Sequence, residues 1–230
     1  MSRQRFTIRL SDGGTIPFTL DVGRRQKLTL TFVEGELAVR VPYGCTNRQI
    51  NDFIVSNTDW IRQRQNEINS SPGLPRTFEQ GEKIRLLGEI KQINYVVSDK
   101  YFEPYLDGEL LNAAVRPDST HEYKRSQVES FIKALAFETV TDCMNTMSEL
   151  TGLAPKKLRL GSMSSRWGSC SAKGSISINY KVIQFGIDCI EYVCVHELCH
   201  LKYMDHSKQF WELVGRYCPD WKHLRDKMKQ

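Results

Sequence analysis

The stretch Val193–Trp211, "VCVHELCHLKYMDHSKQFW", puts three of the chain's five histidines within eleven positions. They lie in strongly apolar sequence: Ile190, Val193, Val195, Leu198 and Leu201 cover most sides of one segment. That pattern predicts a helix in the middle of a domain rather than on its surface. Asp188, followed three residues later by Glu191, resembles a capping box that would open this helix, with Asp188 at the cap. The fold must therefore bury a helix and still leave its imidazoles something to bind.

His196 and His200 are four residues apart, an advance of about 400°, so their rings leave the helix one turn apart on nearly the same face. Two nitrogens so placed suit one ion at about 2.0–2.1 Å each. Glu197 lies about 100° around the helix, where it can reach an activated water without entering the ligand set. This is the H-E-x-x-H arrangement of two ligands and a general base. A catalytic zinc needs a third protein ligand and an open fourth position, and His206 is the candidate. On an unbroken helix His206 would point about 80° away from His196. The helix is therefore expected to end after His200 and turn back, with Asp205 and Ser207 favouring the break. Ser207 would cap the next helix, "KQFWELVGRY". A closed structural site would take four ligands, often cysteines, and would need no Glu beside the first histidine. Cys199 faces elsewhere on the helix and is not counted as a ligand.

The remaining sequence reads as α+β: a β-rich N-terminal half, then the helical segment that carries the histidines. "RFTIRL", "KLTLTFV" and "ELAVRVP" alternate as strands, with turns at Asp12-Gly13-Gly14 and Glu34-Gly35. "NRQINDFIVSNTDWIRQRQNEI" spaces Ile50, Phe53, Ile54, Trp60 and Ile61 as a helix, with a break near Asn57. A Ser/Pro/Gly-rich loop follows, then strands in "KIRLLG", "QINYVV" and "GELLNAAV". A long amphipathic helix is expected from about His121 to Gly152, with Val128, Phe131, Ile132, Leu135, Met144 and Met147 on its apolar face. "KKLRLG" reads as a strand. "SSRWGSCSAKGSISINYKVI" reads as a hairpin turning at Lys173-Gly174, with Ile176, Ile178, Tyr180 and Val182 on one face of its second arm. The expected regions are 1–120, β-rich with one helix, and 121–230, the catalytic region.

Bulk properties narrow the setting. The chain has 230 residues, 40% hydrophobic and 26% charged, enough for a buried core. No apolar run reaches membrane length and the start lacks an apolar signal core, so a cytoplasmic protein without a membrane partner is expected. Seven cysteines without a C-x-x-C pair fit reduced, buried thiols. The net charge of +5 leaves room for an anionic partner without requiring one.

"SSRWGSCSAKGSISINYKVI", "YVCVHELCHLKYMDHSKQFW" and "PDW" together resemble the YgjP-like metallopeptidase domain, kin to the SprT-like and WLM-type zinc peptidases. The resemblance extends upstream through "AVRVP" and "FIVSNTDWI", over about residues 20–225. It implies a zincin-like core with one Zn2+ per chain, His196, His200 and His206 as ligands and Glu197 as base. The histidine spacing equals that of the metzincins, but Tyr203 stands where they have a turn glycine and no Met-turn is found. In zincins an edge strand beside the metal pairs with extended substrate, which makes Ser165, Trp167 and Gly168 candidate substrate contacts. Arg166 could steady an oxyanion, or simply pair with a surface acid. Trp167 could equally pack, and Gly168 could form a bulge. Phe210, Trp211 and Trp221 are expected to hold the ligand segment down.

Three functions compete at this level. A zinc peptidase acting on peptide or protein leads. A nucleoside-triphosphate (UTP) pyrophosphatase is the first alternative, with Lys156, Lys157 and Arg159 holding phosphates. A DNA-associated protease is the second, resting on Lys222, Arg225, Lys227 and Lys229 near the C-terminus.

Overall fold

A computed structural model of the chain describes residues 4–10, 12–33, 36–70 and 72–228. Among them are three mixed sheets and six α-helices. The chain forms two compact units, Met1–Pro72 and Gly73–Gln230.

The first unit is a four-stranded sheet with two helices. Strands β1 (Gln4–Arg9), β2 (Thr15–Gly23), β3 (Thr29–Val33) and β4 (Glu36–Pro42) lie in the order β1-β2-β4-β3, with β2 and β4 parallel. The expected turn at Glu34-Gly35 lies outside the described residues. Strand β2 was not among the expected strands, and its Pro17 is a residue disfavoured in a strand interior. The register explains the exception. Pairing with β4 begins at Phe18, so Pro17 precedes the stretch where β2 has ladders on both sides. Helix α1 (Asn47–Ser56) opens on a Thr46–Gln49 capping box, and α2 (Thr58–Ser70) follows directly. The expected break falls at Asn57, whose side chain donates to the Phe53 carbonyl. Ile50, Ile54 and Ile61 pack with Phe18, Val39 and Val41, while Trp60 stays half exposed beside Phe32.

The second unit begins at Gly73, not at residue 121. Strands β5 (Lys83–Leu86), β6 (Glu89–Val97), β7 (Tyr105–Asp107) and β8 (Leu110–Val115) form a sheet in the order β5-β6-β8-β7. Their Ile84, Leu86, Ile93 and Leu111 share one core with the long helix α3 (His121–Thr151). Local patterning shows where strands give way to helix. It does not show which helix a sheet packs on. Thr120 caps α3, and Gly152 ends it in the left-handed conformation (φ 68°).

The third sheet holds β9 (Lys157–Gly161), β10 (Gly168–Cys170) and β11 (Ser175–Asn179), with β11 central and β10 at an edge. The second arm of the expected hairpin stops at Asn179. Tyr180–Gln184 is a short 3-10 helix, so Tyr180 and Val182 are not strand residues. Helix α4 (Ile187–Cys199) then runs through the core, with Cys189, Ile190, Cys194, Val195, Leu198 and Cys199 buried. The expected Asp188 cap is not formed. Gly186 holds the cap position, and Asp188 lies in the first turn, where it accepts from the Cys189 N–H and pairs with Lys227. A Cβ on Gly186 would stand 2.6 Å from Asp188 Oδ1, so the glycine lets that carboxylate fold back over the helix end. Helices α5 (Lys208–Tyr217) and α6 (Trp221–Lys227) complete the unit. All seven cysteines are free. No helix among the described residues is long and apolar enough to cross a membrane.

Candidate metal centre

Helix α4 stops where the histidine geometry requires. His200 is its C-cap, and the Tyr203 N–H donates to the Cys199 carbonyl as the chain turns. Asp205 accepts from the Ser207 N–H, and Ser207 caps α5 by accepting from the Phe210 N–H. This short return brings His206 back to the face it would have missed on a continuous helix. Its Nε2 lies 3.2 Å from His196 Nε2. One ligand atom from each of His196, His200 and His206 lies within 4.8 Å of the other two.

The ring of Phe210, fully buried, is the floor of the cluster. Its centroid is 4.9 Å from that of His196, 4.4 Å from His200 and 4.9 Å from His206. Trp211 stacks on His206 and in turn on Trp221, 4.1 Å away. The Tyr203 backbone carbonyl accepts from His200 Nδ1 at 2.9 Å, which leaves His200 Nε2 with its lone pair free. Tyr203 contributes through its main chain, to which side-chain patterns give no clue.

These donors fit a zinc ion. Two nitrogens at zinc bonding distance and a tetrahedral angle lie about 3.3 Å apart, close to the separation of the His196 and His206 Nε2 atoms. Burial, then the neighbouring imidazoles, holds the His196 pKa down at about 3, and burial lowers that of His200. Both rings are therefore neutral, the form that binds metal.

Glu197 sits beside the cluster, 5% exposed. Its Oε2 is buried and meets no hydrogen-bond donor among the described residues. Burial pushes its pKa up to about 7, with Arg166 pulling the other way. The carboxylate has room because of Gly168. A Cβ there would stand 2.5 Å from Glu197 Oε1 and 2.7 Å from its Cγ. Gly168 makes no bulge, since Gly168, Ser169 and Cys170 pair in regular antiparallel register with Ile178, Ser177 and Ile176. Its missing side chain is what allows β10 to pass over Glu197.

Histidines, carboxylate and edge strand line one cleft of about 420 Å³. Arg166 lines it, exposed. Trp167 lines it half-buried, edge-on to Phe185 at 5.0 Å, so it packs and borders the cleft at once. Ser165 is exposed and is not among the lining residues. Asn179 was missed. Its side chain looked like the polar face of a strand, yet it is 2% exposed. Its Nδ2 donates to the Met163 and Arg166 carbonyls, and its backbone N–H donates to the Trp167 carbonyl. Asn179 thus fixes the loop that presents Arg166. Lys157 and Arg159 lie on β9, the far edge of the sheet, and neither they nor Lys156 line the cleft.

The model of the YgjP-like metallopeptidase domain matches residues 26–230, and the chain belongs to that family. Membership implies a metal and a peptide or protein substrate. Among solved structures, the chain is similar to the metallopeptidase zymogen of Pyrococcus abyssi abylysin. The identity is 25% over 39% of this chain and 90% of that one, with a TM-score of 0.36. It is also similar to the metallopeptidase zymogen of Methanocaldococcus jannaschii jannalysin, at 20% identity over 40% of this chain and 94% of that one, with a TM-score of 0.36. No curated protein matches.

Proposed function

We propose that this metallopeptidase-family chain is a zinc peptidase, with His196, His200 and His206 holding one zinc and Glu197 serving as general base. The observation that carries the reading is that His196 and His206 Nε2, 3.2 Å apart, and the unpartnered Glu197 Oε2 share one cleft. When bound, zinc supplies Lewis acidity that makes water a nucleophile near neutral pH and polarises a carbonyl. Glu197 takes the proton from the attacking water and delivers it to the leaving amine. Its raised pKa suits both transfers. The free edge of β10 aligns an extended peptide by backbone hydrogen bonds. Arg166, tied down through Asn179, faces charge developing on the carbonyl oxygen.

The test is to incubate metal-loaded protein separately with a peptide library and with nucleoside triphosphates. Peptide cleavage that stops on chelation is expected. Pyrophosphate release without peptide cleavage would overturn the reading.

A further inference from the structure

Lys229 lies outside the described residues, and of Lys222, Arg225 and Lys227 it is Arg225 that lines the cleft. Lys227 is engaged with Asp188, and Lys222 lies over the Trp221 ring. Arg225 lies one turn beyond Trp221 on α6. Its guanidinium carbon is 5.1 Å from the Trp221 centroid and 5.8 Å from that of Trp211. These two indoles are stacked on each other, and Trp211 also stacks on His206. The guanidinium is thus propped on a rigid aromatic pile that continues to the histidine cluster.

The Arg225 Nε is buried without a hydrogen-bond acceptor among the described residues, and Asp226 Oδ1 stands off at 3.9 Å. The side chain keeps 43% of its surface open. Around it the cleft is lined by Tyr192, Val193 and Met228, which suit an aliphatic stem. Among the described residues Glu197 is the one acid in the lining, against two arginines. A planar fork of N–H groups on an aromatic support is suited to gripping a carboxylate with two parallel hydrogen bonds.

We infer that Arg225 is a carboxylate-recognition group at one end of the cleft, and that the site selects peptides presenting an acidic side chain or a free C-terminus there. This rests on the peptidase reading but fails separately from it. The experiment compares zinc-loaded wild type, Arg225→Gln and Arg225→Glu on matched peptides. One arm carries an internal Glu, Gln or Lys with both ends blocked. The other is a neutral peptide ending in either a free carboxylate or an amide. Acidic members of at least one arm should be cleaved about tenfold better, mainly through KM, the scale of one charge-assisted contact. The responding arm names the source of the carboxylate. Arg225→Gln should bring the ratio to about one, and Arg225→Glu should reverse it towards Lys. Equal cleavage of acidic and neutral peptides by wild type, or a ratio unchanged in Arg225→Gln, would overturn the inference. If no peptide is cleaved, the peptidase reading has failed, and binding decides this one. Tryptophan-fluorescence titration should then still show the acidic peptide binding about tenfold tighter to wild type, and not to Arg225→Gln. Equal binding would overturn it.

Discussion

Two cavities among the described residues are similar in size and differ in what their polar groups have found. The first unit carries one of about 460 Å³, lined by Arg5, Glu36 and Arg62 among apolar neighbours. Its charges are matched: Arg5 pairs with Glu36, and Arg62 with Asp12. The second unit carries one of about 420 Å³ in which His196 Nδ1, Glu197 Oε2 and Arg225 Nε are buried without partners among the described residues. A buried polar group left unsatisfied costs about 1–3 kcal/mol, so three in one cleft need a compensating reason. Volume alone marks neither cavity as a site. The unsatisfied donors and acceptors mark the second.

The contrast can be broken by experiment, and Glu197→Gln should have the largest effect. The amide keeps the shape but cannot accept a proton. Turnover should fall by about a hundredfold or more while fold and zinc content stay as in wild type. Near-normal turnover in a zinc-loaded variant, or loss of zinc with activity, would remove Glu197 from the role of base.

Gly168→Ala comes next. Its Cβ would collide with the Glu197 carboxylate, so that side chain or β10 must move. A loss of roughly ten- to a hundredfold in turnover is expected, from misplacement of the base. Overpacking should cost about 1–3 kcal/mol in urea unfolding. Wild-type turnover in this variant would show that β10 does not position Glu197.

These two residues also show what the sequence could and could not reveal. The spacing of His196, Glu197 and His200, and the angular mismatch of His206, are local helical arithmetic. From them came the expected end of the helix after His200, which is the C-cap of α4, and the Ser207 cap. Gly168 and Glu197 are far apart in the chain, so their contact depends on how β10 crosses α4, and no local pattern encodes it. The same holds for Asn179, whose strand alternation concealed a buried amide. Arg225 was one of several basic residues near the C-terminus, and its place against Trp211 and Trp221 follows from packing that no local pattern encodes. The start of the second unit at Gly73 reflects a core shared between a sheet and a helix that follows it.

Asn179→Ala sharpens the comparison at moderate size. It leaves the Met163 and Arg166 carbonyls without their amide donor. A stability loss of about 1–3 kcal/mol is expected by urea unfolding, with a smaller drop in turnover than in Gly168→Ala. Unchanged stability would mean that the loop is held by other contacts.

The smallest effect belongs to the first unit's cavity. Asp12→Asn removes an exposed ion-pair partner of Arg62, and exposed pairs contribute little. Zinc content and turnover should match wild type, with thermal unfolding shifted only slightly. A clear loss of activity would give that cavity a part in catalysis and undo the contrast between the two.

Metal content tests the unsatisfied cleft most directly. Elemental analysis of purified protein should give about one zinc per chain, removable by chelators. His206→Ala should lower zinc affinity sharply, because it takes away the ligand that the turn after His200 brings into place. Unchanged zinc content and affinity in His206→Ala would contradict the three-histidine site.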